Sequence, residues 1–486
     1  MKKLILLLIA IALINTSFAH SGKPKYHIII DTDGAIDDMR AISMLLAGND
    51  IRVLAITCSQ GTLMPETSAM KVLKLLQAYH HEGIPIGIGK QTPAPLPPWN
   101  GFARETEWGK EGLSKSRTYS NAQKLLERSL SSYPEKVTLI ALGSLKTYAE
   151  WLKQNKDRQD KIKRIIWYNN FTIDNDFNYI ADTSAYKSII ASGIPLEIIG
   201  NTGSKLMCND AYLSILDTTN SIYASHIHKV HQQPVVRRQI NTHQLALWDD
   251  LVPLYLTAPM LFETKQRANI KECQLSSSFG PSIIYELISK LLTSSVTTNN
   301  RVFSSFPVKK NLYKKAYADI MDSTILNYGL EEWKAICLTN EIHGHTGIYS
   351  IIGAKMGIRA MEYFNVGVNN LDVVSFAGNK PPISCFNDGL QISTGSTLGQ
   401  GLISIADTSL QMPSAIISFN HQFIKISLKE NIILDLKQHI AYAIKKYGLL
   451  TDDYWKYIEE TGVKYWKQAD RHEIFTIETL VNEQTL

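Results

Sequence analysis

The N-terminal half of the chain alternates between short apolar runs and longer stretches with helical spacing of apolar residues. The stretches "DMRAISMLLAG" and "ETSAMKVLKLLQAYH" predict helices, and the apolar runs have the length of buried strands. These runs are "YHIIIDT", "IRVLAITC", "IPIGIG", "KVTLIALGS", "IKRIIWYNN" and "PLEIIGNTG". Repeated strand–helix–strand units predict an α/β domain whose parallel sheet is covered by helices on both faces.

The pattern changes after about residue 330. A histidine pair precedes a helix rich in glycine and alanine, and the glycine-rich stretch "DGLQISTGSTLGQG" follows. A chain of 486 residues is also longer than one typical domain. We therefore predict a first domain over residues 26–329 and a smaller second domain over residues 330–486.

The N-terminus has the three parts of a secretory signal. Lys2 and Lys3 precede an apolar run over residues 4–14, and the small-x-small sequence Ser17-Phe-Ala19 follows. The apolar run is too short to span a membrane. We predict that residues 1–19 are a signal peptide cleaved after Ala19, that the protein is exported, most simply to a bacterial periplasm, and that it has no stable membrane anchor.

Charge and cysteine content narrow the function classes. The net charge of +5 is spread thinly, without a basic run, which argues against nucleic acid as a partner. The five cysteines include no CxxC pair, so the sequence implies no disulfide framework and leaves a single bridge open.

Four aspartates follow the first predicted strand within eight positions: Asp31, Asp33, Asp37 and Asp38. Ligands of open α/β sheets bind beyond the carboxyl ends of the strands, where this segment "DTDGAIDD" is expected to lie. Crowded carboxylates repel one another unless a positive charge compensates them. A solvated acidic loop is the simple alternative, but a divalent cation such as Ca²⁺, which binds six to eight oxygens, would relieve the repulsion.

The segment 31–38 resembles a signature of the inosine–uridine nucleoside hydrolase family, Asp-x-Asp-Pro-Gly-x-Asp-Asp, with Gly-Ala in place of Pro-Gly. Further matches follow in the family's order over residues 26–329: "LAITCSQG", "LIALGSLKTYAE", "NDFN" (175–178) and "LWDD" (247–250). The resemblance implies the nucleoside hydrolase fold, a Ca²⁺ cofactor and a nucleoside-like small-molecule substrate, whose N-glycosidic bond is hydrolysed to ribose and free base.

The resemblance also implies roles for individual residues. Asp33, Asp38, Asp249 and the carbonyl of Leu142 correspond to the calcium ligands, and Asp33 also corresponds to the general base that takes a proton from water. Asp37 and Asn178 correspond to groups that bind the ribose hydroxyls, with Asp176 near the 5′ end. A homo-oligomer is compatible with the sequence.

Recognition of the base is expected to depend on tryptophan. Trp248 stands where many relatives have histidine, which is similar to the purine-preferring branch that stacks the base between indoles, and Trp99 is a second candidate. An ordinary core tryptophan is the alternative for Trp248. Thr62 and the sequence Tyr168-Asn169-Asn170 depart from the family pattern. These departures leave open a hydrolase of another ribosyl or sugar-like compound, or a calcium-bearing protein that binds without turnover.

The second domain resembles the FmdE family, which takes its name from formylmethanofuran dehydrogenase and has a compact α+β fold. The resemblance is carried by "EIHGHTG" (341–347), "CFNDGLQ" (385–391) and "TGSTLG" (394–399). On a strand or extended loop, His343 and His345 would point to the same side. Together with Cys385 they are candidate ligands for a second metal, for which imidazole and thiolate suit Zn²⁺.

Overall fold

The computed structural model describes residues 24–92, 95–110, 119–171, 176–200, 206–293, 302–407 and 411–480. The predicted signal peptide lies outside the described residues. The chain divides into two compact units, one over residues 25–296 with the segment 362–366, the other over residues 297–361 and 367–486. Within the described ranges, no helix has the length and apolar character needed to cross a membrane.

The first unit is built on a sheet of nine strands. They are β1 (Tyr26–Thr32), β2 (Ile51–Cys58), β3 (Ile86–Ile88), β4 (Ser120–Asn121), β5 (Val137–Ala141), β6 (Ile162–Tyr168), β7 (Leu196–Gly200), β8 (Phe262–Arg267) and β9 (Ile270–Leu275). Their order is β4-β3-β2-β1-β5-β6-β7-β9-β8. Every neighbouring pair is parallel except β8 and β9. The predicted parallel α/β sheet is confirmed.

Helices flank this sheet. They are α1 (Ile36–Ala47), α2 (Pro65–Ala78), α3 (Asn100–Glu105), α4 (Ala122–Ser132), α5 (Lys146–Gln154), α6 (Phe177–Ala181), α7 (Thr183–Ser192), α8 (Asp210–Thr218), α9 (Ile222–His231), α10 (Pro234–Asn241), α11 (Leu251–Thr257) and α12 (Pro281–Thr293). Ile28 and Ile30 of β1 belong to one apolar cluster, and Ile29 belongs to another. Because alternate residues of a strand face opposite sides of a sheet, β1 is covered on both faces, which explains its unbroken apolar run.

The second unit has a smaller, five-stranded sheet. Its strands are β10 (Asp372–Ser375), β11 (Ile403–Ile405), β12 (Ser414–Phe419), β13 (Gln422–Leu428) and β14 (Phe475–Leu480), in the order β11-β10-β12-β13-β14. Only β10 and β11 pair in parallel within the described sheet. This mainly antiparallel sheet with separate helices confirms the predicted α+β class.

Six helices of this region are described: α13 (Lys315–Tyr328), α14 (Leu330–His343), α15 (Ile348–Phe364), α16 (Phe386–Thr394), α17 (Glu430–Tyr447) and α18 (Asp452–Gln468). Helix α13 packs against α14 and α18 and therefore belongs to the second unit. The predicted domain boundary at about residue 330 thus falls inside this unit, between two helices that pack against each other.

Candidate active site

The aspartate cluster lies at the carboxyl edge of the sheet, at the end of β1. Asp31 pairs in register with Thr57 of β2 and with Ala141 of β5, so the residues after all three strands meet at this edge. Asp31 itself is fully buried and accepts hydrogen bonds from Thr57 Oγ1 (2.6 Å) and Ser59 Oγ (2.7 Å). Its carboxylate therefore ties the strand ends together.

A cavity of about 460 Å³ opens at the same edge. It is lined by all nine residues for which the sequence predicted a role in the first domain. They are Asp33, Asp37, Asp38, Trp99, Leu142, Asp176, Asn178, Trp248 and Asp249. Asp33 and Asp249 are 216 positions apart in the sequence, yet both line this one cavity.

Two glycines shape the acidic wall of the cavity. Gly34 has a φ of +82°, a left-handed conformation that glycine adopts without strain, and it turns the chain from β1 into α1. This turn places Asp37 and Asp38 in the first turn of α1. Gly61 approaches Asp33 so closely that a Cβ at that position would overlap the Asp33 carboxylate. The glycine therefore keeps space for the buried acid.

Three carboxylates of this wall converge. Asp37, Asp38 and Asp249 each offer an oxygen within 4.8 Å of the others. Asp38 Oδ1 accepts from Thr32 Oγ1 (2.6 Å) and from the backbone N–H of Asp33 (3.1 Å), whereas Asp249 Oδ1 is buried without a hydrogen-bond partner. An unpartnered buried carboxylate oxygen beside other carboxylates fits an oxygen-ligated divalent cation.

Burial dominates the pKa values of these acids, although the Arg40 guanidinium partly offsets it at Asp37. Burial raises the pKa of Asp33 and of Asp37 to about 6. Burial, reinforced by the neighbouring carboxylates, holds the pKa values of Asp38 and Asp249 well above their usual range. No lysine or arginine is among the described residues that line the cavity. A bound cation would supply the missing positive charge.

The guanidinium of Arg40 already forms an ion pair with another aspartate, Asp250. Arg40 is fully buried and binds Asp250 with two nitrogens, Nε to Oδ1 at 2.9 Å and Nη2 to Oδ2 at 2.8 Å. Arg40 Nη2 also donates to the carbonyl of Ala246 at 2.8 Å. The pair fastens α1 to the segment before α11, and so positions Asp37 and Asp38 opposite Asp249.

The predicted ribose-binding residues are held by a hydrogen-bond network. Asp176 caps α6 by accepting from the backbone N–H of Asn178 (3.0 Å), and it also accepts from the side chain of Asn170 (2.9 Å). Asn178 Nδ2 donates to the carbonyls of Leu142 (3.0 Å) and Tyr168 (3.1 Å). A carbonyl oxygen has two lone pairs, so Leu142 keeps one for a cation.

Four aromatic residues also line the cavity: Trp99, Phe102, Phe177 and Trp248. Trp248 is 36% exposed and Trp99 is 47% exposed, so neither is a core tryptophan. Trp99 packs edge-on against Phe177 with 5.2 Å between ring centroids, and its Nε1 donates to Thr62 Oγ1 at 3.3 Å. The exposed faces of these aromatic side chains suit stacking against a planar ring.

Sequence reasoning missed Tyr168 as a site residue. The side chain ends β6 and lines the cavity, and its hydroxyl is buried without a hydrogen-bond partner. Burial raises the pKa of Tyr168 well above its usual range, so the hydroxyl keeps its proton and is a donor as well as an acceptor. The position of Tyr168 at the end of a predicted strand was a signal that could have identified it as a site residue. The residue was interpreted only as a departure from the family pattern.

The histidine pair of the second unit has a different geometry from the one expected. His343 ends α14, and Gly344 turns the chain with a φ of +78°, so this segment is neither a strand nor an extended loop. The two imidazoles are nevertheless close, with ring centroids 4.2 Å apart, and they line one cavity together with Cys385. His343 Nδ1 lies 2.7 Å from Asp388 Oδ2, and His343 Nε2 is buried without a partner.

Among the described residues, His343, His345 and Cys385 are not a group whose ligand atoms all lie within 4.8 Å; only the Asp37–Asp38–Asp249 group meets that distance. The predicted second metal site therefore stays a prediction. All five cysteines lie in the described ranges and are unpaired.

Family models match both parts of the chain. The model of inosine-uridine preferring nucleoside hydrolases matches residues 28–304. The FmdE model, named for the molybdenum formylmethanofuran dehydrogenase operon, matches residues 342–474. The predicted fusion of these two families is confirmed.

The chain is also similar to curated relatives over part of its length. The chain is 26% identical to uridine nucleosidase 1 of Arabidopsis thaliana over 38% of its own length and 59% of the relative. It is 28% identical to the pyrimidine-specific ribonucleoside hydrolase RihA of Escherichia coli O1:K1, over 36% of its own length and 59% of the relative. It is also 28% identical to the non-specific ribonucleoside hydrolase RihC of Salmonella agona, over 40% of its own length and 67% of the relative. The chain thus spans less than two thirds of the Arabidopsis and E. coli relatives.

Solved structures with a similar chain trace include a plant nucleoside hydrolase, PpNRh1, with a TM-score of 0.46 and 18% identity over 56% of this chain and 100% of that one. A purine-preferring ribonucleoside hydrolase from Gardnerella vaginalis has a TM-score of 0.47 and 16% identity over 55% and 99%.

Proposed function

Because the chain belongs to the inosine-uridine preferring nucleoside hydrolase family, we propose that it hydrolyses the N-glycosidic bond of ribonucleosides to ribose and free base. The observation that carries this proposal is a single cavity lined by both acidic and aromatic residues. Its converging carboxylates suit a cation and a ribose, and its aromatic side chains suit a base. From the signal sequence in residues 1–19 we also infer export, most simply to a bacterial periplasm.

Calcium is the cation that we propose for the acidic wall. The predicted ligands Asp33, Asp38, Asp249 and the Leu142 carbonyl all line the cavity and offer oxygen alone, which suits Ca²⁺. Of these, Asp38 and Asp249 belong to the group that converges within 4.8 Å, and the third member of that group is Asp37. When bound, the ion would supply positive charge that polarises water and orients the ribose hydroxyls.

The chain's own residues account for the remaining chemistry. The Asp33 carboxylate accepts the proton of the attacking water, as a general base. Asp37 and Asn178 bind the ribose hydroxyls, and Asp176 lies towards the 5′ end. Breaking an N-glycosidic bond builds positive charge on the ribose, and the surrounding carboxylates stabilise that charge.

Incubation of the purified protein with inosine, guanosine, uridine and cytidine in the presence of calcium tests the proposal. We expect ribose to be released from at least one nucleoside. Cleavage of other ribosyl compounds but none of these four would favour the alternative substrate class. Binding of nucleosides without release of ribose would favour a non-catalytic binding protein.

We further propose that purine nucleosides are preferred, because Trp248 offers an exposed indole face to the leaving base. Stacking contributes about 0.5–1.5 kcal/mol beyond buried area, which corresponds to about 2- to 10-fold in kcat/KM. Trp248→Ala should therefore lower kcat/KM for inosine by more than it does for uridine. Tyr442→Ala, which truncates a partly exposed aromatic side chain of α17, is the control. Equal losses for the two substrates would reduce Trp248 to a packing residue.

A transition metal in the second unit is a separate proposal, favoured by His343. Its Nδ1 is engaged by Asp388, which leaves the buried, unpartnered Nε2 as the nitrogen for a metal. A carboxylate on the second ring nitrogen is typical of metal-binding histidines. His345 and Cys385 complete the predicted set for Zn²⁺.

Elemental analysis of the full chain after zinc supplementation tests this site. We expect about one zinc per chain, lost in the double variant His343→Ala, His345→Ala. His439→Ala removes an imidazole of the same unit that hydrogen-bonds Tyr457, and should keep the zinc. Finding no zinc in the wild-type chain would contradict the proposal.

A further inference from the structure

A short segment over residues 99–106 carries three of the residues that line the active-site cavity: Trp99, Phe102 and Ala103. It consists of Trp99, the six-residue helix α3 and Thr106. A helix of this length is not stable through its own hydrogen bonds, so the surrounding structure must hold it in place. We call residues 99–106 the aromatic segment.

The N-terminal end of the aromatic segment is tied to the loop that follows β2. Asn100 Nδ2 donates to the carbonyl of Thr62 at 2.8 Å, and Trp99 Nε1 donates to Thr62 Oγ1 at 3.3 Å. Thr62 is itself 2% exposed and lines the cavity. This end of the segment is therefore attached to a buried part of the site.

The C-terminal end is held by a lysine of α2. Lys71 Nζ donates to the carbonyl of Arg104 at 2.9 Å and to that of Thr106 at 2.6 Å. The last carbonyls of a helix have no partner within the helix, and a lysine side chain can supply the missing donor. Within the described part of the chain, neither carbonyl accepts a further hydrogen bond. Both carbonyls therefore depend on Lys71.

Lys71 is buried, which is rare for a lysine unless its ammonium is paired. Its side chain belongs to a residue that is 5% exposed, and burial lowers the pKa of Lys71 to about 8, so the ammonium form prevails at neutral pH. The acid that follows the segment, Glu107, pairs with Lys74 at 2.7 Å. The two carbonyls are thus the groups that compensate the lost hydration of the Lys71 ammonium.

Helix α2 gives Lys71 a firm support. Its side chains Ala69, Val72 and Leu76 are fully buried in the apolar core of the first unit. A residue on a well-packed helix holds its partners more precisely than a residue on a loop does. Lys71 therefore connects the aromatic segment to the core of the fold.

We propose that Lys71 is a positioning residue of the nucleoside site. By holding the two terminal carbonyls, it fixes the aromatic segment where Trp99 and Phe102 receive the base. The inference rests on the proposed hydrolysis of nucleosides, because it assigns the base to these side chains. Lys71 is not among the described residues that line the cavity, so it acts through the segment and not on the substrate.

Steady-state kinetics of the full chain with inosine and calcium tests the proposal. Lys71→Met keeps the aliphatic side chain and removes the donor. Because stacking on an aromatic ring contributes about 2- to 10-fold in affinity, we expect KM for inosine to rise by about that factor, with kcat little changed. Ribose, which would bind at the aspartates, should inhibit with an unchanged Ki. Lys153→Met makes the same change at an exposed position of α5 and is the matched control.

Hydrogen–deuterium exchange follows the segment itself and does not require hydrolysis. The amides of residues 99–106 should exchange faster in Lys71→Met than in the wild type or Lys153→Met, whereas those of β1 should be unchanged. Lys71→Arg keeps a charged donor and should return both the exchange and the KM towards wild-type values. If Lys71→Met fails to fold, Lys71→Gln takes its place, since its amide is uncharged and one atom shorter, and the same direction of change is expected.

Three results would overturn the proposal. Unchanged exchange over residues 99–106 would show that Lys71 does not hold the segment. Faster exchange with an unchanged KM for inosine would assign Lys71 to stability alone. Equal increases in the KM for inosine and the Ki for ribose would show that the whole site had changed. If the wild type hydrolyses no nucleoside, the proposed function fails, and the exchange measurement still decides whether Lys71 fixes the segment.

Discussion

Replacing Asp33 by Asn is expected to lower kcat for nucleoside hydrolysis by about 10²- to 10⁴-fold, the usual contribution of a general base. Asp33 is 2% exposed, and its Oδ1 accepts from the backbone N–H of Ala35 at 3.3 Å. An asparagine oxygen accepts the same bond, so the turn is preserved. Its amide nitrogen cannot take a proton from water, so the chemical step is affected most. Steady-state kinetics with inosine, reporting kcat and KM separately, measures the effect.

Calcium binding must be measured on the same variant, because Asp33 is also a proposed ligand. Recovery of kcat when calcium is raised to saturation would contradict the role as base and leave only the role as ligand. A kcat within tenfold of the wild type would contradict both. Asp157→Asn, at an exposed position of the first unit, is the matched control and should behave as the wild type does.

The place of the aspartate cluster could be predicted from the sequence because it depends on local order alone. An apolar strand ends at Thr32, and the next residues must then stand at the carboxyl edge of a parallel sheet. Leu142 directly follows β5 and so has the same strand-end signal, although its role as a ligand came from the family resemblance. Asp249 could be placed only through that resemblance, since its approach to Asp38 is set by how distant segments pack.

The residues that sequence reasoning missed show the same limit. Arg40 and Asp250 are separated by 210 positions, and the sequence around each of them does not predict a buried ion pair. The Tyr168 hydroxyl is a candidate site group only because packing leaves it buried and unpartnered beside the cavity. Such features depend on tertiary contacts, which the periodicity of a single segment does not encode.

In the second unit, the histidine pair was predicted to be close for the wrong reason. Alternation along a strand would bring His343 and His345 to one side, but a helix ends at His343 and Gly344 reverses the chain.

Replacing Asp38 by Asn is expected to abolish most calcium binding and the stability that calcium confers. The two hydrogen bonds that Asp38 accepts both end on Oδ1, which an asparagine retains. The other oxygen becomes an NH₂ group, which cannot bind a cation and directs its hydrogens at the carboxylates around it. The variant therefore keeps the local fold and loses a charged ligand.

Calorimetry and thermal unfolding measure this loss together. At a calcium concentration 100 times Kd, a single site stabilises the folded protein by about 2.7 kcal/mol. We expect the wild type and Asp157→Asn to gain that stability and Asp38→Asn to gain little of it. In a chelator, the Asn variant should unfold at or above the wild-type temperature, because one buried carboxylate has left a crowded group whose charges repel. Unchanged calcium affinity in Asp38→Asn would show that the aspartate cluster does not hold the ion.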